Sequence, residues 1–89
     1  MSAEHENLPQ DTIRSYIMEN ANLSELGDDV DIFEAGLANS LFAIEMMTFL
    51  EKSFSIKVTM DDLDMDNFKS VNSTSRFVRQ KKQGSGENV

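Results

Sequence analysis

Apolar positions recur with a helical rhythm in three stretches of the chain. Ile13, Tyr16 and Ile17 stand at i, i+3 and i+4 behind Leu8-Pro9. Pro is tolerated in a first helical turn because its missing N–H would have no partner there, so a helix to about Glu19–Asn20 is predicted. The second stretch is denser, with Leu41, Phe42, Ile44, Met46, Met47, Phe49, Leu50 and Phe54. It predicts a helix over Ser40–Phe54 that is apolar around most of its circumference, and therefore central, with several neighbours. Asn39 stands before it and can cap it, because its side-chain oxygen can accept from an orphan first-turn N–H. In the third stretch Val71, Thr74, Phe77 and Val78 form the inward face of a last helix that Ser70 can cap. Arg76, Arg79, Lys81 and Lys82 fall late in it, where cations favour the negative end of the dipole.

The connections are uneven. Ala21 to Asn39 is too long for an ordinary loop, and its Leu23, Leu26, Val30, Ile32, Phe33 and Leu37 suggest that it is pinned over the core by its own side chains. Ser55-Ile56-Lys57-Val58 alternates and reads as an extended connector. Thr59 can cap a short helix through Met60-Asp61-Asp62-Leu63, after which Met65 and Phe68 offer anchors. The expected architecture is all-α: a small four-helix bundle with a long first loop and a short third helix. Residues 8–82 would form the domain, with polar residues 1–7 and the linker-like residues 83–89 as flexible tails.

Composition narrows the chemistry. The 89 residues include 16 Asp and Glu against 8 Lys and Arg, one His and no Cys or Trp, for a net charge of −8. This length allows one small core but no deep catalytic cleft beside it. Without Cys there is no disulfide framework or thiolate metal site, which suits a cytoplasmic protein. The acidic balance argues against nucleic acid and anionic membrane surfaces and for basic protein partners. No apolar run is long enough to span a bilayer, and the first residues lack the pattern of a secretion signal.

Catalysis by the chain itself is not expected. The one His, His5, falls in the N-terminal tail, where a solvated residue is the simpler reading. Asp62, Asp64 and Asp66 resemble the opening of a calcium loop, but Asn67 and Ser73 stand where that loop needs Gly and a bidentate acid, so they read as a solvated helix face. Two features remain. Ser40 follows the capping Asn39 at the start of the central helix, where a phosphate would meet orphan N–H donors and the positive dipole end; Ser is also an ordinary first-turn residue. The second feature is an acidic strip of Glu45, Glu51, Asp61, Asp62, Asp64 and Asp66, opposed by Lys52 and Lys57. It reads either as a face for basic partners or as a face kept soluble.

Asp31-Ile-Phe-Glu-Ala-Gly-Leu-Ala-Asn-Ser-Leu41, followed by a helix ending Leu50-Glu51-Lys52-Ser53-Phe54, resembles the acyl carrier proteins and their relatives. The family signature, an aromatic and a Gly-Leu upstream of Asp-Ser-Leu, is matched by Phe33, Gly36-Leu37 and Asn39-Ser40-Leu41, and the resemblance runs from about Ile13 to Val78. It implies that Ser40 receives a 4′-phosphopantetheine arm from coenzyme A through a phosphopantetheinyl transferase. A chain without a thiol would thereby acquire one, hold an acyl group as a thioester and present it to other enzymes as a non-enzymatic carrier. Partner recognition is then expected at Leu41, Phe42, Glu45, Glu51, Asp61 and Asp62. Met46, Met47, Leu50 and Phe54 would be core, in a bundle that opens slightly for a guest chain.

Asn39 replaces the usual Asp, which keeps a cap and removes a charge, and Phe42 stands where many fatty-acid carriers have an acid. The stretches Leu41–Glu51 and Asp62–Phe68 are similar to discrete carriers of hydroxy-, methoxy- or aminomalonyl extender units in polyketide and antibiotic biosynthesis. The implied partners are acyl-loading and acyl-modifying enzymes and a polyketide synthase acyltransferase or ketosynthase, met by a monomeric carrier. The alternatives are a D-alanyl carrier of teichoic acid modification and an acidic helical interaction module that carries nothing.

Overall fold

A computed structural model describes residues 8–87, with side chains described to residue 83. The expected tail at residues 1–7, with His5, lies outside the described residues. Four α-helices follow in order: α1 (Pro9–Ala21), α2 (Ser40–Phe54), α3 (Met65–Phe68) and α4 (Val71–Glu87), with a 3₁₀ turn at Met60–Asp62. Helix α4 packs against both α1 and α3. The core joins Ile13 and Ile17 of α1, Met46, Met47 and Leu50 of α2, Phe68 of α3, and Val71, Phe77 and Val78 of α4. Ile32, Ile56 and Val58 are added to it by the connections.

Helix α1 starts with Pro9 at its first position and ends at Asn22, whose φ of 60° is left-handed and lets the Leu23 N–H reach back to the Met18 carbonyl at 2.8 Å. The long loop that follows is pinned by polar contacts as well as by apolar ones. Arg14 donates from Nε and Nη2 to the two carboxylate oxygens of Asp28. Asn72 donates its backbone N–H to the Asp28 carbonyl and its side-chain amide to Asp29, and the Ile32 N–H donates to the Lys69 carbonyl at 2.7 Å. The loop is thereby fastened to α1 at one side and to the start of α4 at the other.

Inside the loop, Asp31–Ala35 forms a single helical turn. The Asp31 carboxylate accepts from the Phe33 and Glu34 N–H groups, and the Ala35 N–H returns to the Asp31 carbonyl. Gly36 closes the turn at φ 77°, with its own N–H on Phe33 and the Leu37 N–H on Ile32. This is the Schellman arrangement, which satisfies the last carbonyls of a helix only if the residue after it is left-handed.

Three sequence expectations change. The short third helix is split: Met60–Asp62 is a 3₁₀ turn with Thr59 and Asp62 as a capping box, and the α-turn comes later at Met65–Phe68, capped by Asp64. Asp62 and Asp64 are therefore capping residues and not a plain solvated face. Helix α4 runs on to Glu87, through residues 83–87 that read as a tail. Once a helix is nucleated each further residue adds a hydrogen bond, and Gly84 and Gly86 cost only about 1 kcal/mol each. The basic residues consequently fall before the last turn, and side-chain partners replace the dipole. Lys81 pairs with Asp62, Lys82 donates to the Phe54 carbonyl at the end of α2, and Arg79 donates to Gln10.

Helix α2 is also less central than its composition predicted. Ala43, Met46, Met47 and Leu50 are buried and Phe54 is half-buried, but Leu41 and Ile44 are 62% and 46% exposed. A helix buried on one side leaves its other apolar positions in water however many there are.

Candidate functional site

Ser40 is the first residue of α2 and is exposed. Its position is set from both sides. Upstream, the Gly36 turn delivers the chain in extended conformation to Asn39, whose side-chain oxygen accepts from the Phe42 N–H at 3.0 Å. Downstream, the Phe42 ring stacks on Tyr16 with centroids 5.6 Å apart, and Tyr16 stacks on Phe49 at 4.0 Å. This ladder fixes the first turns of α2 against α1. Burial pushes the Tyr16 phenol up from its ordinary pKa, and the nearby Glu45 carboxylate adds to the effect.

Ser40 forms one wall of a surface groove of about 230 Å³, completed by Ala43 and Ile44 of α2 and by Leu63 and Met65. Its Met65 is 44% exposed, and Leu41 next to Ser40 in the chain and Met60 (71% exposed) also present apolar side chains to solvent. Met65 thus edges the groove and does not anchor the core. A wider depression of about 490 Å³ along the long loop, lined by Leu23, Leu26 and Val30 among others, does not include Ser40. Adjacency to the hydroxyl marks the smaller groove as the relevant one.

The acidic residues expected at a partner face divide into two groups. Glu45 and Asp61 are exposed. Glu51 is half-buried, and its carboxylate accepts from the Val58 N–H at 2.8 Å, which holds the connector after α2. Asp62 accepts from Lys81 at 2.6 Å and from the Thr59 N–H at 2.9 Å. Burial opposes its ionisation, but the bonds from Lys81 and Thr59 outweigh it and hold the carboxyl below the usual range. Glu51 and Asp62 therefore do structural work that their place in an acidic run did not reveal. The groove residues Ile44, Leu63 and Met65 were missed at the sequence level. A usable signal was present: Ile44 lies one turn from Ser40, and Met65 stands alone among aspartates.

An exposed hydroxyl at the positive end of a fifteen-residue helix suits a phosphodiester, because the first-turn N–H groups and dipole favour the anion. Among the described residues, no cluster of three His, Asp or Glu is placed to hold a metal ion, and no helix is long and apolar enough to cross a membrane.

Residues 11–78 match the protein family described as the phosphopantetheine attachment site. The chain belongs to that family. Members carry 4′-phosphopantetheine bound covalently, and they are carriers rather than catalysts. The carrier is similar to the D-alanyl carrier proteins of Streptococcus pyogenes serotypes M5 (strain Manfredo), M49 (strain NZ131) and M1. It is 36% identical to each over 50 residues, which cover 56% of this chain and 62% of the relative. The matched stretch therefore spans less than two thirds of those relatives.

Proposed function

We propose that Ser40 is the attachment point of the arm and that the protein delivers a small acyl group, as a thioester, between biosynthetic enzymes. The observation that carries this reading is the exposure of Ser40 at the capped start of α2, within a chain matched over residues 11–78 by the attachment family. In the loading step the Ser40 oxygen attacks the pyrophosphate of coenzyme A. The new P–O bond forms on the serine, adenosine 3′,5′-bisphosphate leaves, and the serine proton passes to a base of the transferase. When bound, the arm supplies the thiol that the chain lacks. Asn39 keeps the helix end ordered beneath it, while Leu41, Phe42, Glu45 and Asp61 offer a mixed apolar and acidic face to the transferase and to acyl-handling enzymes with basic surfaces.

The cargo we propose is a malonyl-type extender unit, a reading supported by the stretches Leu41–Glu51 and Asp62–Phe68. A second reading, D-alanine, is favoured by the 36% identity to the streptococcal D-alanyl carriers. The test uses coenzyme A, magnesium and a broad transferase, followed by intact mass. The expected gain is one phosphopantetheinyl group, lost in Ser40→Ala; a gain unaffected by that substitution sinks the assignment. Charging of the product by malonyl-type donors and not by an adenylating ligase with D-alanine supports the first cargo, and the reverse supports the second.

A further inference from the structure

We propose that Lys81 of α4 is a positioning residue for the phosphopantetheine arm: acting through Asp62, it holds the Leu63 and Met65 wall of the groove in which the arm's dimethyl-bearing carbon packs. The inference rests on the reading of Ser40 as the tether. In phosphopantetheine the phosphate is followed by a methylene and then by a carbon that bears two methyl groups, the first apolar part of the arm. That carbon lies about 5 Å from the serine oxygen, close to one helical pitch. Ile44, one turn beyond Ser40 and 46% exposed, therefore stands where the methyl groups fall, with Leu63 and Met65 on the other side of the groove. The methylene, the branched carbon and its methyl groups, at about 30 Å³ each, would fill about half of the groove's roughly 230 Å³.

The wall itself is lightly held. Val58 and Phe68 are buried, but none of residues 59–67 between them is. A stretch that buries so little apolar surface opens at small cost, so its few polar ties decide where it rests. Asp62 is the centre of those ties. Its carboxylate accepts from the Thr59 N–H at 2.9 Å and hydroxyl at 3.2 Å, and its carbonyl accepts from the Asn67 amide at 2.9 Å and the Asp64 N–H at 2.8 Å. These bonds shape the stretch but do not fix it to the bundle. Lys81 does so, with its ammonium 2.6 Å from the Asp62 carboxylate and 5.8 Å from the centre of the Phe77 ring on its own helix. Among the described residues, Lys81 is the only side chain of α4 that bonds to this stretch. The stretch thus separates two hollows: Asp62 and Asn67 line a depression shared with Phe77, Gln80 and Lys81, while Leu63 and Met65 line the groove of Ser40. Both side chains of the ion pair are mostly covered, 29% exposed for Lys81 and 20% for Asp62, so solvent competes with it less than with a surface pair. Because Leu63 follows Asp62 directly, holding the carboxylate sets the depth at which the wall faces Ile44.

The experiment loads the full chain, labelled in its methionine methyl groups, from coenzyme A with a broad transferase, checks the product by intact mass, and records nuclear Overhauser contacts between the arm's paired methyl groups and the methionines. A contact to Met65 is expected, with the Met46 and Met47 resonances of the buried core unmoved by loading. In Lys81→Met the Met65 contact should be lost while Met46 and Met47 keep their positions, which a general loss of structure would not allow. Lys81→Arg retains a cationic donor and should restore the contact. Asp62→Asn keeps an oxygen for the Thr59 N–H but removes the charge that Lys81 meets; it should also lose the contact, and it decides the matter if the core resonances of Lys81→Met show a disturbed fold. A loaded parent without the Met65 contact overturns the groove as the place of the arm. A contact that persists in folded Lys81→Met and in Asp62→Asn overturns the role of Lys81. No mass gain in the parent overturns the Ser40 reading, and this inference with it, which separates that failure from the other two.

Discussion

Arg14 grips Asp28 across a separation of fourteen residues, with Nε on one carboxylate oxygen at 2.8 Å and Nη2 on the other at 2.9 Å. Asp11 accepts from the remaining guanidinium nitrogen at 2.9 Å, so one side chain ties the long loop to α1. The loop leads to the Gly36 turn and thence to Asn39 and Ser40, which connects an ion pair on α1 to the placement of the candidate tether.

The pair is about a third exposed, with side chains 30% and 35% accessible. Arg14→Met should cost about 1 kcal/mol after allowance for solvent screening. The hydrogen bond from Arg14 holds the Asp28 carboxyl below its usual pKa, against a smaller effect of burial. A depressed folded pKa makes the contribution fully present above the unfolded value of about 4 and loses it as pH falls through the lower folded value. Urea midpoints should therefore decline with acidification below about pH 4, less steeply in Asp28→Asn. Equal slopes in the two proteins would show that the pair contributes nothing.

Asn39 and Ser40 can be separated experimentally. Asn39→Ala leaves the Phe42 N–H without its acceptor and should lower stability by about 1 kcal/mol. Ser40→Ala, at an exposed position with no cap to lose, should stay within about 0.5 kcal/mol of the parent. Chemical denaturation of both proteins checks this, and a destabilised Ser40→Ala would assign the serine a structural role. Asn39→Asp retains the cap and adds an anion at the positive helix end, so a gain of about 0.5 kcal/mol is expected.

Gly36 isolates a backbone effect. A Cβ added there would meet no atom within 4 Å, yet φ is 77°. Gly36→Ala should cost about 1 kcal/mol through strain alone, and Gly36→Asn less, since Asn visits this region more readily. Thermal melts that rank Asn below Ala would contradict that cause.

Thr74 is fully buried and its hydroxyl has no hydrogen-bond partner among the described residues, and the Ser75 hydroxyl is in the same position. Thr74→Val removes a desolvated polar atom while keeping the shape, so stability should hold or rise by about 1 kcal/mol. A loss of more than about 1 kcal/mol would mean that the hydroxyl is satisfied in solution.

The sequence by itself determined the helices that carry strong periodicity, the cap at Asn39 and the place of Ser40 at the head of α2, because these depend on residues within one or two turns of each other. The inward face of α4 at Val71, Thr74, Phe77 and Val78 was legible for the same reason. Only the tertiary structure decided which of the many apolar residues of α2 are buried, since that depends on where the neighbouring helices stop and leaves Leu41 and Ile44 in water. It also decided that Glu51 and Asp62 serve Val58 and Lys81, and that Met65 edges a groove while Phe68 is buried in the core. An acidic run or an isolated methionine looks alike in sequence whether solvent, a backbone amide or a lysine from another helix lies opposite, and the opposite side is supplied by chain packing.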